Sequence, residues 1–581
     1  MKAWCILPYP RLLACQYSAL YQCSRSRSIS YQSIVVVSCQ RGKYPKYPKG
    51  PKGPKDLKHL ATKSCSYSVS RVSSGATTRA LETFLDPRFE LMEFQGKISE
   101  KEATEFVKKY YKDMSVRDVT NLVHGMAKKR IRLNTNIMLV LVDILQRRQI
   151  TKADHIYVAK WFQGIKLFKL DDPDHHPVLE RYLAYLEEVM EIKRNSMNFT
   201  GQSIGQCMYA VQRLSGEQEG VNSLLKSLTI KISESKDMLS RQAIGICLYG
   251  LQGMSSRDVE VRGVLEALSS KISESNAVLD KQTIGNALYG LKGMSSDEKE
   301  VRGIIEALSS KISESTDGID GQGIGNALYG LQLMSSEEKE VRDIVGILAR
   351  KISECKEMLD RQTIGNSLYG LKNMNSEAAE VCMVLEALSS KISESRDVLS
   401  NQNIANALYG LQGMNSRVPE VSSVLRALCS KMSESKNILN AQHIGNALYG
   451  LKSMSSRDSE VRAVLGLLSG KMSESAEMLN GQCISNALYG LKGMNSREAE
   501  VRSVLRAISK KIYISDCELN GQNIGNALYG LKSMNSRDME VRDLLSALLH
   551  KISESKDMMN GQEIANSLYG LKVMSCWCHR R

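Results

Sequence analysis

What this sequence lacks narrows its function before what it contains. No stretch approaches the ~20 consecutive apolar residues of a membrane-spanning helix, and the run Ile34–Val37 is far too short. Histidine is scarce, with eight in 581 residues. One of them, His443, falls at a position that varies between repeats and reads as a surface substitution. The stretch Ser269, Ser270, Ser273 and Ser275 has no partner His and no nucleophile-elbow pattern. No glycine run matches the phosphate-binding G-x-x-x-x-G-K loop. These absences argue against an enzyme, a small-molecule substrate and a cofactor. The 14 Cys are scattered without the paired spacing of a zinc site, which points to a reducing compartment. The one cluster, Cys576-Trp577-Cys578-His579, is a poor tetrahedral set, so no metal is expected. Aromatics make up only 6% of the chain. That suits a helical solenoid, whose thin core is filled by Leu, Ile, Val, Met and Ala.

The net charge of +15 invites a nucleic-acid reading, but its location matters. Residues 1–80 carry 14 Lys and Arg against one acid, Asp56, leaving +2 for the rest of the chain. From residue 201 onward, 44 acids balance 44 bases. The first 55 residues are free of acids and rich in Ser, Tyr and Arg (Arg11, Arg25, Arg27, Arg41). That composition predicts an organellar transit peptide over 1–40, mitochondrial or alternatively plastid. A secretory signal competes less well, because Pro8, Pro10 and Arg11 interrupt the apolar region; a disordered basic tail is the third reading. Residues 41–82 form a basic linker containing the polyproline-like KYPKYPKGPKGPK.

From Thr200 the sequence returns every 40 residues without an insertion, through residue 575. The first segment of the unit occurs ten times, beginning at Gly201, Arg241, Lys281, Gly321, Arg361, Asn401, Ala441, Gly481, Gly521 and Gly561. The second segment occurs nine times. Such a period marks stacked supersecondary units. Each first segment is preceded by an N-cap residue type, from Thr200, Ser240 and Asp280 to Asn560. An apolar residue lies just before the cap, placed as a hydrophobic staple. In the third copy Ile284, Ala287, Leu288, Leu291 and Met294 draw one helical stripe. In the second copy a Ser-x-x-Asp capping box at 255–258 is expected to open the second helix. Its stripe is Val261, Val264, Leu265, Leu268 and Ile272, with Arg262 and Lys271 off it. Connections of three to seven residues require antiparallel neighbours. The expected fold is all-α, a right-handed α-solenoid of 40-residue helical hairpins. Residues 83–199 read as degenerate copies, with stripes at Val119, Leu122, Val123, Met126 and at Val158, Trp161, Phe162, Ile165, Phe168. Residues 576–581 form a tail.

Opposite the first helix's apolar stripe stand its second, sixth and ninth positions, which stack along one ridge. The candidate ligand-binding residues are Gln282, Gln322, Gln362, Gln402, Gln442, Gln482 and Gln522; Asn286, Asn326, Asn366, Asn406, Asn446, Asn486 and Asn526; and Tyr289, Tyr329, Tyr369, Tyr409, Tyr449, Tyr489 and Tyr529. The twelfth position adds Lys292, Lys372, Lys452, Lys492 and Lys532, placed to touch phosphates. Amides and phenols in ladders suit single-stranded RNA, with Tyr stacking on bases and Asn and Gln bonding base edges. The structural alternative has Gln and Asn bridging repeats as an internal ladder, with Tyr packed on its neighbour. Glycines flanking Tyr, such as Gly285 and Gly290, cost about 1 kcal/mol each relative to Ala in a helix and suggest close helix approach.

The segment I-G-N-A-L-Y-G-L, with Gln two positions before it, resembles the octotricopeptide-type repeat of organellar RNA-binding proteins. It is also similar to the repeats of FAST-kinase-like mitochondrial proteins and of RNA-editing substrate-binding complex subunits. The resemblance spans 200–575 and weakly 115–200. It implies RNA as partner, other proteins of an organellar RNA complex, and a role in RNA processing, stability or translation. The family's aromatic is usually Trp, whereas Tyr209, Tyr249 and Tyr289 stand here. No RAP domain follows Met574, so the resemblance lends RNA cleavage no support. The candidate reading positions are nearly constant, which implies a monotonous target or binding without sequence selectivity. A scaffold that docks proteins fits the same pattern.

Overall fold

The computed structural model describes residues 100–147, 154–192 and 197–576, apart from 217, 219 and 437. The leader and linker expectations, and the Cys576–His579 cluster beyond its first residue, lie outside the described residues. Every element among the described residues is helical, with two short 3₁₀ turns. The α-solenoid expected from the repeat is what forms.

Local signals set the first helices. At all ten copies the cap side chain accepts a backbone N–H three residues on, from Thr200 (to Ser203) through Asp280 (to Thr283) to Asn560 (to Glu563). The staple residue before each cap is buried, as at Leu239, Leu279 and Leu359, except Met559 of the last copy, which is half-buried. The apolar stripes at Ile284–Met294 and Val261–Ile272 are fully enclosed.

The second helix starts later than the capping box implied. In the second copy it spans Val259–Glu274, and its N-cap Asp258 makes no side-chain cap. Ser255 Oγ accepts instead from Arg257 N, and Ser256 Oγ from Ser295 N of the next repeat. The turn needs those hydroxyls more than the helix does. The connection from first to second helix is consequently longer than expected, residues 290–298 in the third copy.

Packing runs in two layers. Each first helix lies on the first helix of the next repeat, and each second helix on the next second helix. The helices Val116–Lys129 and His155–Gln163 continue the first layer toward the N-terminus, and Thr135–Arg147 and His176–Ile192 the second. These outer copies are filled by rings: Trp161 donates to Thr120 Oγ1 at 2.7 Å, and buried Tyr182 to the Trp161 carbonyl at 2.6 Å.

The contact between first helices is closest at the tenth position. A methyl built on Gly290 would overlap the carbonyl of Leu248, and one on Gly330 that of Leu288; the same holds from Gly250 to Gly570. The fifth-position glycine is looser, and Ala405, Ser485 and Ala565 occupy it in three copies. Gly330→Ala is therefore expected to cost at least about 2 kcal/mol, because a neighbouring backbone cannot rotate away like a side chain. Gly205→Ala, where the added methyl meets nothing closer than 3.7 Å, should stay within about 0.5 kcal/mol of wild type. Chemical denaturation of the two variants checks the contrast, and equal stabilities would refute it.

Candidate nucleic-acid interface

The recurrent polar residues divide into those that stitch repeats together and those that do not. Three positions stitch. Where a Ser closes the second helix it donates to a carbonyl 36 residues earlier, as Ser275 to Leu239 at 2.6 Å and Ser395 to Leu359 at 2.7 Å; Cys355 takes that place once. The Ser of the intervening turn accepts an N–H from 39 residues later, as Ser336 from Asn375 at 2.7 Å. The third is the Lys expected to lie off the apolar stripe. Its copies are buried except Lys271, which is half-buried: Lys351 Nζ donates to the Ser315 and Asp317 carbonyls at 3.0 and 2.9 Å, and Lys511 to those of Ser475 and Glu477 at 2.7 and 2.9 Å. Lys351, Lys431, Lys471 and Lys511 thus sit at the negative end of the preceding second helix, while Lys271, Lys311, Lys391 and Lys551 pair with the Glu three residues on. Burial pushes the Lys351, Lys471 and Lys511 ammoniums down from their ordinary range.

The ridge residues behave differently. The Gln side chains of the second position are exposed and the Asn of the sixth half-buried, except at the ends of the array. Among the described residues, the amides of Asn286, Asn326, Asn366, Asn406, Asn446, Asn486 and Asn526 make no hydrogen bond within the chain. Of the structural alternative, the Asn row bridging repeats is not what forms, whereas the packing of each Tyr on its neighbour is. At the C-terminal end Gln562, Asn566 and Asn526 line an open groove of about 390 Å³ with Tyr449, Tyr489 and Tyr529.

The tyrosines form one continuous stack from Tyr209 to Tyr569. Neighbouring ring centroids are 5.6–6.3 Å apart and the planes 17–23° from parallel. Such offset geometry is favourable, and it occupies the inner faces of the rings with one another. The part left for a ligand is the ring edge with its hydroxyl. Beside it, the ammoniums of Lys292, Lys372, Lys452, Lys492 and Lys532 lie 4.6–4.8 Å from their own repeat's ring centroid. Lys292, Lys372, Lys452 and Lys532 also reach the Tyr hydroxyl at 3.3–3.4 Å. The Lys row is tied laterally where Lys372 and Lys452 donate to Gln332 and Gln412 Oε1. Burial lowers the Lys292, Lys372 and Lys452 ammoniums and raises the Tyr329, Tyr369 and Tyr409 phenols.

The ring spacing also locates the ridge. Equivalent points in successive repeats are related by one screw operation, and their separation shrinks only as they approach the screw axis. Packed helix axes stand about 8–10 Å apart, yet the rings are 5.6–6.3 Å apart. The Tyr row therefore runs along the inner side of the curve traced by the first helices. Crossing it from helix N- to C-terminus, a ligand meets amides (Gln, then Asn), phenol edges, and ammoniums.

Sequence reasoning missed the cationic N-terminal end of the ridge. With Ser115 and Asp154 as caps, the ninth position continues as His124 and Gln163, the sixth as Lys160 and the twelfth as Lys166. Lys166 Nζ sits 4.1 Å over the ring of Tyr209, closing the stack. The regular consensus is lost there, but the caps kept the register legible.

Fold and ridge together define a helical-repeat solenoid with a periodic inner surface. No family model matches the sequence, and no curated protein matches it. The chain is similar in structure to a component of a full-length AP-3 complex, at 10% identity and TM-score 0.35 over 86% of this chain and 91% of that one. It is similar to the pentatricopeptide repeat protein PPR10 from maize at 10% identity and TM-score 0.35, covering 87% of this chain and 70% of that one. It is also similar to yeast Rmd9p, solved with a 16-nucleotide target RNA, at 10% identity and TM-score 0.23, covering 84% of this chain and 99% of that one.

The Tyr stack carries a pH dependence of stated sign. The half-buried phenols of Tyr329, Tyr369 and Tyr409 are raised above the unfolded value of about 10, chiefly by desolvation. Their contribution to stability is complete below that pH and is lost as pH rises through the higher folded values. Phenolate absorbance during alkaline titration should show Tyr329, Tyr369 and Tyr409 ionising above the ordinary phenol range, together with loss of helix. Ionisation of all tyrosines near their ordinary value with the fold intact would contradict this.

Proposed function

We propose that this protein binds single-stranded RNA along the inner ridge, one nucleotide per repeat and with little sequence selectivity. The observation that carries the reading is the unused row of Asn amides, beside Tyr hydroxyls and Lys ammoniums at a 5.6–6.3 Å period. That period is close to the separation of successive phosphates in an unstacked single strand. An amide both donates and accepts, so an identical amide in every repeat meets any base edge or a monotonous tract equally. The stacked rings leave no gap for base intercalation within the ladder. We assign the sugar-phosphate chain to the Tyr-hydroxyl and Lys edge, and the bases to the Asn and Gln rows. The resemblance to octotricopeptide-type repeats supports the same ligand. The acid-free leader supports import into a mitochondrion, or a plastid, where such binding serves RNA processing, stability or translation.

A second reading, protein docking, is favoured by a separate surface. Met238, Val278, Met358, Val398, Ile438 and Met478 recur at the turn before the first helix, each 45–62% exposed. These residues lie beyond the cap end of the helix, away from the Lys row.

The test is fluorescence anisotropy with labelled 12-nucleotide RNAs, oligo(U), oligo(A) and a mixed sequence, on the full chain at moderate salt. The variant Asn326→Ala/Asn366→Ala/Asn406→Ala/Asn446→Ala should fold normally. It should lose at least roughly thirtyfold in affinity, about 0.5 kcal/mol for each hydrogen bond. If the wild type binds none of the RNAs, or the variant binds them equally, the ridge is not an RNA site and the exposed apolar row becomes the working surface.

A further inference from the structure

The end of the ridge where the consensus breaks down carries charge of one sign. Three stacked turns meet there: the one after Val116–Lys129, the 3₁₀ turn Gly164–Leu167, and the one after Gly201–Val211. They present Arg130 and Arg132, Lys166, and Arg213 respectively, with Lys160 six residues before Lys166. The cluster is built rather than loosely exposed. Lys166 is half-buried and held from two sides, its ammonium over the Tyr209 ring and donating to Gln163 Oε1. Gln163 is itself buried and fixed by donating to the Gln206 carbonyl at 2.5 Å. Arg213 reaches back to the carbonyls of Lys166 and Phe168 at 3.4 Å. Arg130 caps its helix in the left-handed region, at φ 57°.

The charges here repel one another. Burial first, then Arg130 and Arg213, push the Lys166 ammonium down to about 8. Burial first, then Lys160, Lys128 and Lys166, push the His124 imidazole down to about 4. His124 Nδ1 is buried without a hydrogen-bond partner. The one acid that acts on Arg213 is Asp171, against Arg132. A fold that holds cations together at a cost to their protonation gains by accepting an anion between them.

We propose that Arg130, Arg132, Lys166 and Arg213 form a phosphate-binding site at the N-terminal end of the Tyr stack, which anchors one end of a bound RNA strand. The anchoring role rests on the ridge being an RNA site; the phosphate site does not. Guanidinium forks at Arg130, Arg132 and Arg213 suit the paired oxygens of a phosphate, while Lys166 supplies a point charge at the ring that ends the stack. The ridge beyond has at most one Lys per repeat, so the site also gives the array a polarity, with its strongest phosphate contact at one end.

The test uses the full chain and the variant Arg130→Gln/Arg132→Gln/Arg213→Gln. All three residues are exposed, and circular dichroism confirms folding. The first readout is oligo(U) affinity against salt. Losing three phosphate contacts should flatten the log–log slope by roughly 2, about 0.7 for each contact on a single strand. An unchanged slope, with the wild type still binding, would overturn the anchor while leaving the ridge reading intact. The second readout needs no RNA: inorganic pyrophosphate should raise the thermal midpoint of the wild type and not that of the variant. Should the wild type bind no RNA, a pyrophosphate shift confined to the wild type would still establish the phosphate site, and equal shifts or none would refute it.

Discussion

The approach of one first helix to the next, glycine against carbonyl, is the constraint on which the rest depends. The tenth-position glycine has no room for a single methyl, because the preceding repeat's Leu carbonyl stands there. Glycine costs helix stability, so its recurrence from Gly250 to Gly570 marks a spacing the array holds in every copy. That spacing brings the Tyr rings within stacking distance on the inner side and packs the apolar stripes behind them. Ridge, core and curvature are consequences of one contact repeated.

Polar chemistry is divided by surface. The turn Ser, the closing Ser and the buried Lys supply backbone partners 34 to 39 residues away, so each repeat completes its neighbour's hydrogen bonding. An isolated hairpin leaves those carbonyls and amides unmet, which explains why stability in such arrays resides in the interfaces. With that task done elsewhere, the Asn amides contribute nothing to the fold among the described residues. They are the conspicuous polar groups without a structural occupation, and they face the groove.

The hairpin, its caps and its apolar stripes were legible in the sequence because their causes are local. A cap such as Asp280 and a stripe such as Ile284–Met294 act within one helix. The stitches were not legible, since Lys351 or Ser275 is polar and off the stripe, and a helical wheel places it outward. Only the neighbouring repeat buries it. The Tyr row was visible as a row, but the sequence left open whether its rings await bases or pack on their neighbours. They are stacked on each other, a contact set by the distance between helices and not by spacing along one. The second helix began late because the turn hydroxyls had partners in the next repeat that no single hairpin reveals. The N-terminal cations escaped notice because Gln163 and His124 replace the Tyr by which the ridge was recognised.

Near-identity of repeats has a functional consequence. An array whose inner face is the same at every step distinguishes lengths better than sequences. The account therefore stands or falls on its ruler: one nucleotide for each first helix. The most direct measurement is the occluded site size on poly(U), for the full chain and for a chain lacking residues 321–400, two whole repeats. The account predicts a site that shortens by two nucleotides when those repeats are removed. A site size indifferent to the deletion would contradict it.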